Sequence, residues 1–431
     1  MKYYSLHHQA PEVSFKEAVI RGIAPDRGLY FPKGFTPLPE SFFNSIATLS
    51  KSEIAFRAIS QFVAGEIPDS ELEQILESVL DFDFPLVELH DHTAVLELFH
   101  GPTMAFKDVG ARFMAKCLGY FNRNSDQEVT ILVATSGDTG GAVANGFLGV
   151  QGVRVVILYP SGKVSEIQEK QLTTLGQNIT ALEVEGTFDD CQKMVKTAFL
   201  DEDVAGNRKL TSANSINVAR WLPQMFYYLF AYQKVADRKR EIVFSVPSGN
   251  FGNICAGMVA HKLGMPCRHF IAATNVNDTV PNFMESQVYD PKPSIATISN
   301  AMDVGDPSNF IRIRELFQDN FSELSTMLSS YSYTDDETRA AMAALKKTFN
   351  YVADPHGAVG YLGLKKYQED HPDTQGIFLE TAHPIKFLDV VRDTLGVELS
   401  IPPQIEKVLK REKVSLSISN YEELRDYLLN S

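Results

Sequence analysis

Lys107 lies in the run His100-Gly101-Pro102-Thr103-Met104-Ala105-Phe106-Lys107-Asp108, between an apolar strand pattern and a helical one. A lysine in the first turn of a helix opposes the helix dipole, so it is more comfortable neutral or covalently modified. An amine held below its usual pKa can condense with a carbonyl group. A second strand-to-helix turn is Pro247-Ser248-Gly249-Asn250-Phe251-Gly252-Asn253. Its two glycines and short side chains let several N–H groups point into one cup at a helix N-terminus, which suits phosphate. The cup has no lysine, so it is not a nucleotide P-loop, and the chain has no G-x-G-x-x-G fingerprint. A third turn, Thr135-Ser136-Gly137-Asp138-Thr139-Gly140-Gly141, offers hydroxyls and helix-start N–H groups to a carboxylate. Thr381 ends a further strand, just before Ala382-His383-Pro384. Each has a plainer reading by itself: a surface lysine, an ordinary strand–helix turn, an N-cap made by Ser136 or Asp138, and a single hydroxyl that means little.

Together they describe one cofactor. A lysine that condenses with an aldehyde, a lysine-free phosphate cup downstream and an anion turn between them fit pyridoxal 5′-phosphate. The same residues carry a family resemblance over essentially the whole length. Further segments share it: Val13 to Val19, Gly28-Leu29-Tyr30-Phe31-Pro32, Asn214-Ser215-Ile216-Asn217, Asn300 to Gly305, Asp354-Pro355-His356-Gly357 and Glu380 to Pro384. The chain resembles the threonine synthases, in the longer form found in many bacteria and fungi.

The resemblance implies the tryptophan-synthase β-like architecture, fold type II. It implies Lys107 as the Schiff-base lysine, and Gly249, Asn250, Phe251, Gly252 and Asn253 around the cofactor phosphate. Thr381 is implied at the pyridine nitrogen; a hydroxyl there makes the ring a weaker electron sink than a carboxylate does, and leaves more to Lys107. Asp138 falls beside the ring hydroxyl, where many relatives carry Asn and where a carboxylate repels a phenolate. Ser136 and Thr139 are implied at the substrate carboxylate or the cofactor edge. Asn214, Ser215 and Arg220 match positions that grip the substrate phosphate in shorter relatives, and Lys163 is a further candidate. Arg suits bidentate phosphate recognition; a helix-surface role is its plainer reading. The implied reaction is β,γ-replacement: O-phospho-L-homoserine and water give L-threonine and phosphate. The alternatives are a phospho-lyase or hydroxyamino-acid dehydratase on the same scaffold, and a non-catalytic relative that binds a small anion or a partner.

The elements that must position these residues are alternating strands and helices. Residues 1–90 read as mainly helical, with Ser14-Phe15-Lys16-Glu17 as a capping box and helices over about 52–63 and 69–80. From 91 to 431 strands are predicted at 94–99, 130–135, 153–159, 179–184, 241–246, 270–274 and 376–380. Helices are predicted between them, at 107–121, 165–175, 188–200 and 252–263, with one long helix over 217–235 and two more at 336–349 and 358–367. Such alternation means largely parallel sheets flanked by helices, and the number of units requires two α/β lobes, with the site at the strands' carboxyl ends between them.

Composition sets the remaining bounds. The 431 residues are 44% hydrophobic and 22% charged, with 40 Lys and Arg against 54 Asp and Glu, a net charge of −14. That balance argues against a nucleic-acid partner and against an anionic membrane surface. The four cysteines form no Cys-x-x-Cys pair and sit in apolar stretches, so reduced thiols and a cytoplasmic location are expected. The N-terminal residues carry no apolar signal core. No metal site is expected: His90-Asp91-His92 lacks a third ligand at a useful spacing and reads as a polar loop. His356 and His383 are read as structural, and Trp221 with Phe226-Tyr227-Tyr228 as core. No pattern specifies an oligomeric state.

Overall fold

The computed structural model describes every residue except 91, 126 and 236–238. Two short strands near the N-terminus, β1 (Tyr3–Ser5) and β2 (Tyr30–Pro32), pair antiparallel. Eleven more follow: β3 (Leu86–His90), β4 (Thr93–Glu97), β5 (Val129–Ala134), β6 (Val153–Pro160), β7 (Ile179–Val184), β8 (Lys209–Ser212), β9 (Ile242–Pro247), β10 (His269–Thr274), β11 (Leu328–Ser332), β12 (Gln375–Glu380) and β13 (Leu416–Ile418). They form a six-stranded sheet ordered β11-β10-β9-β12-β4-β3 and a five-stranded sheet ordered β13-β7-β6-β5-β8. All pairings in the two sheets are parallel except β3 with β4. This is the expected pair of α/β lobes.

The parallel strands form where the sequence is continuously apolar. β5, β9 and β10 are buried at every residue, because helices cover both faces of the sheet. β3 has an alternating, half-exposed pattern and lies antiparallel at the sheet edge, which the sequence reading omits. The N-terminal region holds the β1–β2 pair as well as its expected helices. Ser14 caps the first helix by accepting from the Glu17 N–H, but the Glu17 carboxylate pairs with Arg21, so the reciprocal half of the box is not made. The long helix expected over 217–235 is interrupted. It runs as Val218–Trp221, a 3-10 turn Leu222–Gln224 and Met225–Lys234, because Pro223 has no N–H to continue the ladder.

One large apolar core runs from Tyr3 through Trp221 and Phe226–Tyr228 to Leu379, so the N-terminal helices and both sheets share it. Arg312 is fully buried within it. Its guanidinium donates to the carbonyls of Tyr30, Ser215 and Ile216 and to Asn309 Oδ1, and lies 4.3 Å from the Trp221 ring. The four cysteines are free thiols, three of them buried. Among the described residues no helix is long and apolar enough to cross a membrane, and no cluster of potential ligands could hold a metal. Asp91, within the His90–His92 run, lies outside the described residues.

Candidate active site

β9, β12 and β4 are neighbours in the large sheet, so their carboxyl ends lie side by side. The turn after β9 is the cup. Phe251 takes a left-handed conformation, φ 59°, just before the helix Gly252–Lys262. The bend turns successive N–H groups the same way. No acceptor among the described residues takes the N–H groups of Gly249, Asn250, Phe251, Gly252, Asn253 or Ile254. Asn253 Nδ2 is also buried without a partner. Ser248 is turned away: its hydroxyl donates to Val246 O at 2.9 Å. A Cβ on Gly249 would stand 2.8 Å from Met302 Cα and 2.9 Å from Ala301 O, so only glycine lets the loop after residue 299 close over the cup. That loop also takes hold of Asn250, whose Oδ1 accepts from the Ser308 N–H and hydroxyl.

Lys107 opens the helix Lys107–Asn122 after β4. Its loop is tied to the end of β12: the Phe106 N–H donates to Thr381 O at 2.8 Å, and Ala105 bridges Ala382. The Lys107 carbonyl accepts from Arg220 Nη1 at 2.9 Å. Among the described residues no hydrogen bond occupies Lys107 Nζ, nor the Thr381 hydroxyl. Arg220 is buried, and among the described residues its Nε has no partner and no carboxylate pairs with it.

The small sheet supplies the opposite side. After β5 the Thr135 hydroxyl accepts from the Gly137 and Gly140 N–H groups, at 3.0 and 2.8 Å. Thr135, rather than Ser136 or Asp138, therefore steadies this helix start. Ser136 and Thr139 keep free hydroxyls, and the Ser136, Asp138 and Thr139 N–H groups have no protein acceptor among the described residues. Asn214 follows β8 and reaches back to Ala134 O at 3.2 Å. Ser215 is held from the large-sheet side, where Asn309 Nδ2 donates to its hydroxyl at 3.0 Å and Arg312 to its carbonyl.

Charge is arranged unevenly across this space. Burial pushes the Lys107 amine down, Asp138 pulls it partly back, and Lys386 and Arg220 push it further, leaving it at about 8. Burial lowers Arg220 to about 10. Burial by itself would raise the Asp138 carboxyl, but Lys386, then Lys107 and Gln168, outweigh it and hold the group well below the usual carboxylate range. Lys386 Nζ lies 2.7 Å from Asp138 Oδ1, with both side chains buried.

The structure brings most of the sequence-assigned residues to one place: Lys107, the cup, Thr381, Asp138, Ser136, Thr139, Asn214 and Ser215 stand at strand ends or in the turns and helix starts that follow them, and Arg220, in the helix Val218–Trp221, reaches the Lys107 carbonyl. Lys163 does not join them. It is exposed after β6, has no hydrogen bond or ion pair to any of the others, and its charge is felt by Asp190. Sequence reasoning missed Lys386, five residues beyond Thr381, and assigned no role to Asp354. Asp354 accepts from the His356, Gly357 and Ala382 N–H groups and from the His356 ring. His383 accepts from the Ile385 N–H, so both histidines hold backbone or its supports.

The donor set fits pyridoxal 5′-phosphate: backbone N–H groups and Asn253 Nδ2 for a phosphate, and a low-pKa amine for an aldehyde. Comparison with known proteins agrees. The pyridoxal-phosphate dependent enzyme family matches residues 84–378. The threonine synthase N-terminal and C-terminal families match residues 2–79 and 357–428. Threonine synthase of Haemophilus influenzae is 42% identical, over 100% of both chains. The crystal structure of threonine synthase from Escherichia coli superposes with a TM-score of 0.94 at 41% identity, covering 100% of both chains. The structure of PLP-bound threonine synthase from Brucella melitensis gives 0.92 at 33% identity, covering 100% of this chain and 99% of that one.

Proposed function

The chain belongs to the threonine synthase family, and we propose from that premise how its own residues divide the work. It is a pyridoxal-phosphate dependent lyase of threonine biosynthesis. The substrate is O-phospho-L-homoserine, which with water gives L-threonine and phosphate. When bound, the cofactor supplies a carbonyl that captures the substrate amine and a ring that spreads the charge left on carbon.

Residues 1–90 serve as the N-terminal region and 91–431 as the catalytic unit. The N–H groups of Gly249–Asn253 hold the cofactor phosphate, Thr381 meets the ring nitrogen, and Asp138 stands by the ring hydroxyl. Ser136 and Thr139 bind the substrate carboxylate through hydroxyl and N–H donors. Asn214, Ser215 and Arg220 bind the substrate phosphate. Arg220 is the observation that carries this reading: a buried guanidinium with a free Nε and no carboxylate partner suits a dianion.

Lys107 is the base at Cα. An amine lowered to about 8 is partly free near neutral pH, and its helix-start position disfavours holding the proton. The tie from Arg220 Nη1 to the Lys107 carbonyl links the phosphate-binding side chain to the lysine's own backbone, so both ends of the substrate are referred to one helix start. Water must be held back from Cβ until phosphate has left Cγ, and the enclosing turns serve that exclusion.

The test is product identity. Purified protein with cofactor and O-phospho-L-homoserine is expected to release L-threonine and phosphate in equal amounts. Phosphate with a 2-oxo acid and ammonia instead would move the activity to the phospho-lyase alternative.

A further inference from the structure

We propose that Lys386 is a positioning residue of this site: it crosses from the large sheet to clamp Asp138 on the small sheet, so that Lys107 faces a fixed, balanced pair rather than a lone carboxylate. The proposal rests on the reading of Lys107 as the lysine that joins the cofactor.

The geometry comes from two sheets. Lys386 lies in the 3-10 turn Pro384–Phe387, five residues past Thr381 at the end of β12. Asp138 opens the helix Asp138–Phe147 after β5. Their ion pair, 2.7 Å, therefore spans the seam between the sheets, at relative exposures of 0% and 4%. Neither group is free to move. Lys386 Nζ also donates to Thr103 O at 2.9 Å, in the loop that leads to Lys107. Gln168 Nε2 donates to the same Asp138 Oδ1 at 3.0 Å. The Gln168 amide in turn packs on Gly137, where a Cβ would meet its Cδ at 2.4 Å. Asp138 is thus oriented by one cation and one amide.

This resolves the difficulty that a carboxylate beside an anionic ring oxygen raises. Paired with Lys386, Asp138 adds no net charge, and its direction is set by Lys386 and Gln168. The charged groups facing Lys107 are Asp138, Lys386 and Arg220; Asp108 and His383 also feel the Lys386 charge. Removing the Lys386 cation lets Lys107 keep its proton to higher pH. Removing the Asp138 charge releases that proton at lower pH.

The experiment follows the absorbance of the bound cofactor against pH in the holoenzyme. It compares the wild type, Lys386→Met, Asp138→Asn and the double variant. Lys386→Met is expected to move the midpoint up by about one pH unit and Asp138→Asn down by about as much. The double variant, a neutral pair of similar volume, is expected to return near the wild-type midpoint. Single variants that shift together, or not at all, overturn the proposal. So does a double variant that keeps the Lys386→Met displacement or that does not fold. If Lys386→Met alone fails to fold, the double variant decides. Failure of the underlying reading looks different: Lys107→Ala would then keep the wild-type cofactor band.

Discussion

On the small-sheet side Asp138 meets a cation; on the large-sheet side Glu380 meets another carboxyl group. Both are buried within one residue of a strand's carboxyl end or of the helix that follows it. Asp138 has Lys386 at 2.7 Å and is held well below the usual carboxylate range. Glu380 is pushed well above it, first by burial and then by Asp354 beside it. Its Oε1 accepts from the Asp354 N–H, while its Oε2 has no partner and lies where a Cβ on Gly357 would stand, 1.6 Å away. Desolvation acts on both carboxyls in the same sense. The partner decides the charge state. Asp138, facing Lys107, is therefore driven toward its ionised form, while burial and Asp354 drive Glu380, behind Thr381, toward its protonated form, so the two buried acids are pushed in opposite directions.

Asp354→Ala breaks the comparison most severely. The Asp354 carboxyl receives the His356, Gly357 and Ala382 N–H groups and the His356 ring. Its loss leaves buried donors unmet and uncaps the helix Pro355–Asp370, at a cost of about 4 kcal/mol, read as a lower denaturant midpoint. Thr381 loses its fixed neighbour Ala382, so cofactor affinity is expected to fall in the same variant.

Asp138→Asn comes next, at about 3 kcal/mol at pH 7, because it leaves the Lys386 cation buried and alone. It also carries a pH signature. A carboxyl lowered in the folded state contributes stability that is present above its unfolded pKa and lost as pH falls through the folded value. Below about pH 4 the wild type is expected to lose this contribution, while the variant has none to lose. Acid unfolding curves of the two proteins should therefore converge. Curves that stay parallel down to pH 2 would mean that Asp138 is not held ionised.

The two acids also differ in how readily sequence exposes them. The parallel strands were legible because covered strands must be apolar at consecutive positions, as in Val129 to Ala134. Lys107, the cup and the turn after β5 were legible because their local types already imply chemistry: an amine at a helix start, glycines among short polar residues. Lys386 and Glu380 carry no local mark. One is a lone lysine in a turn and the other ends an apolar strand, and each gains meaning from a partner brought close only by the fold. The same limit applies to residues 275–332. There Asn275, Asn277, Thr297, Ser299 and Asp303 bond one another, so side chains rather than hydrophobic periodicity shape the loop that closes on Gly249. Pro223 was readable as a helix breaker, but the apolar run on either side of it masked the signal.

Glu380→Gln is the mildest change and the sharpest test of the contrast. A carboxyl raised in the folded state contributes stability that is full below its unfolded pKa, near 4.3, and is lost as pH rises through the folded value. Between those limits the wild type must take up a proton to fold, at a cost that grows by about 1.4 kcal/mol per pH unit. Glutamine is already neutral and needs no proton. Its Oε1 can keep the bond from the Asp354 N–H, but its amide brings a second donor to the place where Oε2 now has no partner, at roughly 1–3 kcal/mol. The variant is therefore expected to be the less stable of the two at about pH 4.5 and to gain on the wild type as pH rises toward about 8. Stability measured across that range at fixed ionic strength checks it. A difference that stays constant from pH 5 to 8 would mean that Glu380 is ionised in the folded protein, and that the two acids are not pushed in opposite directions.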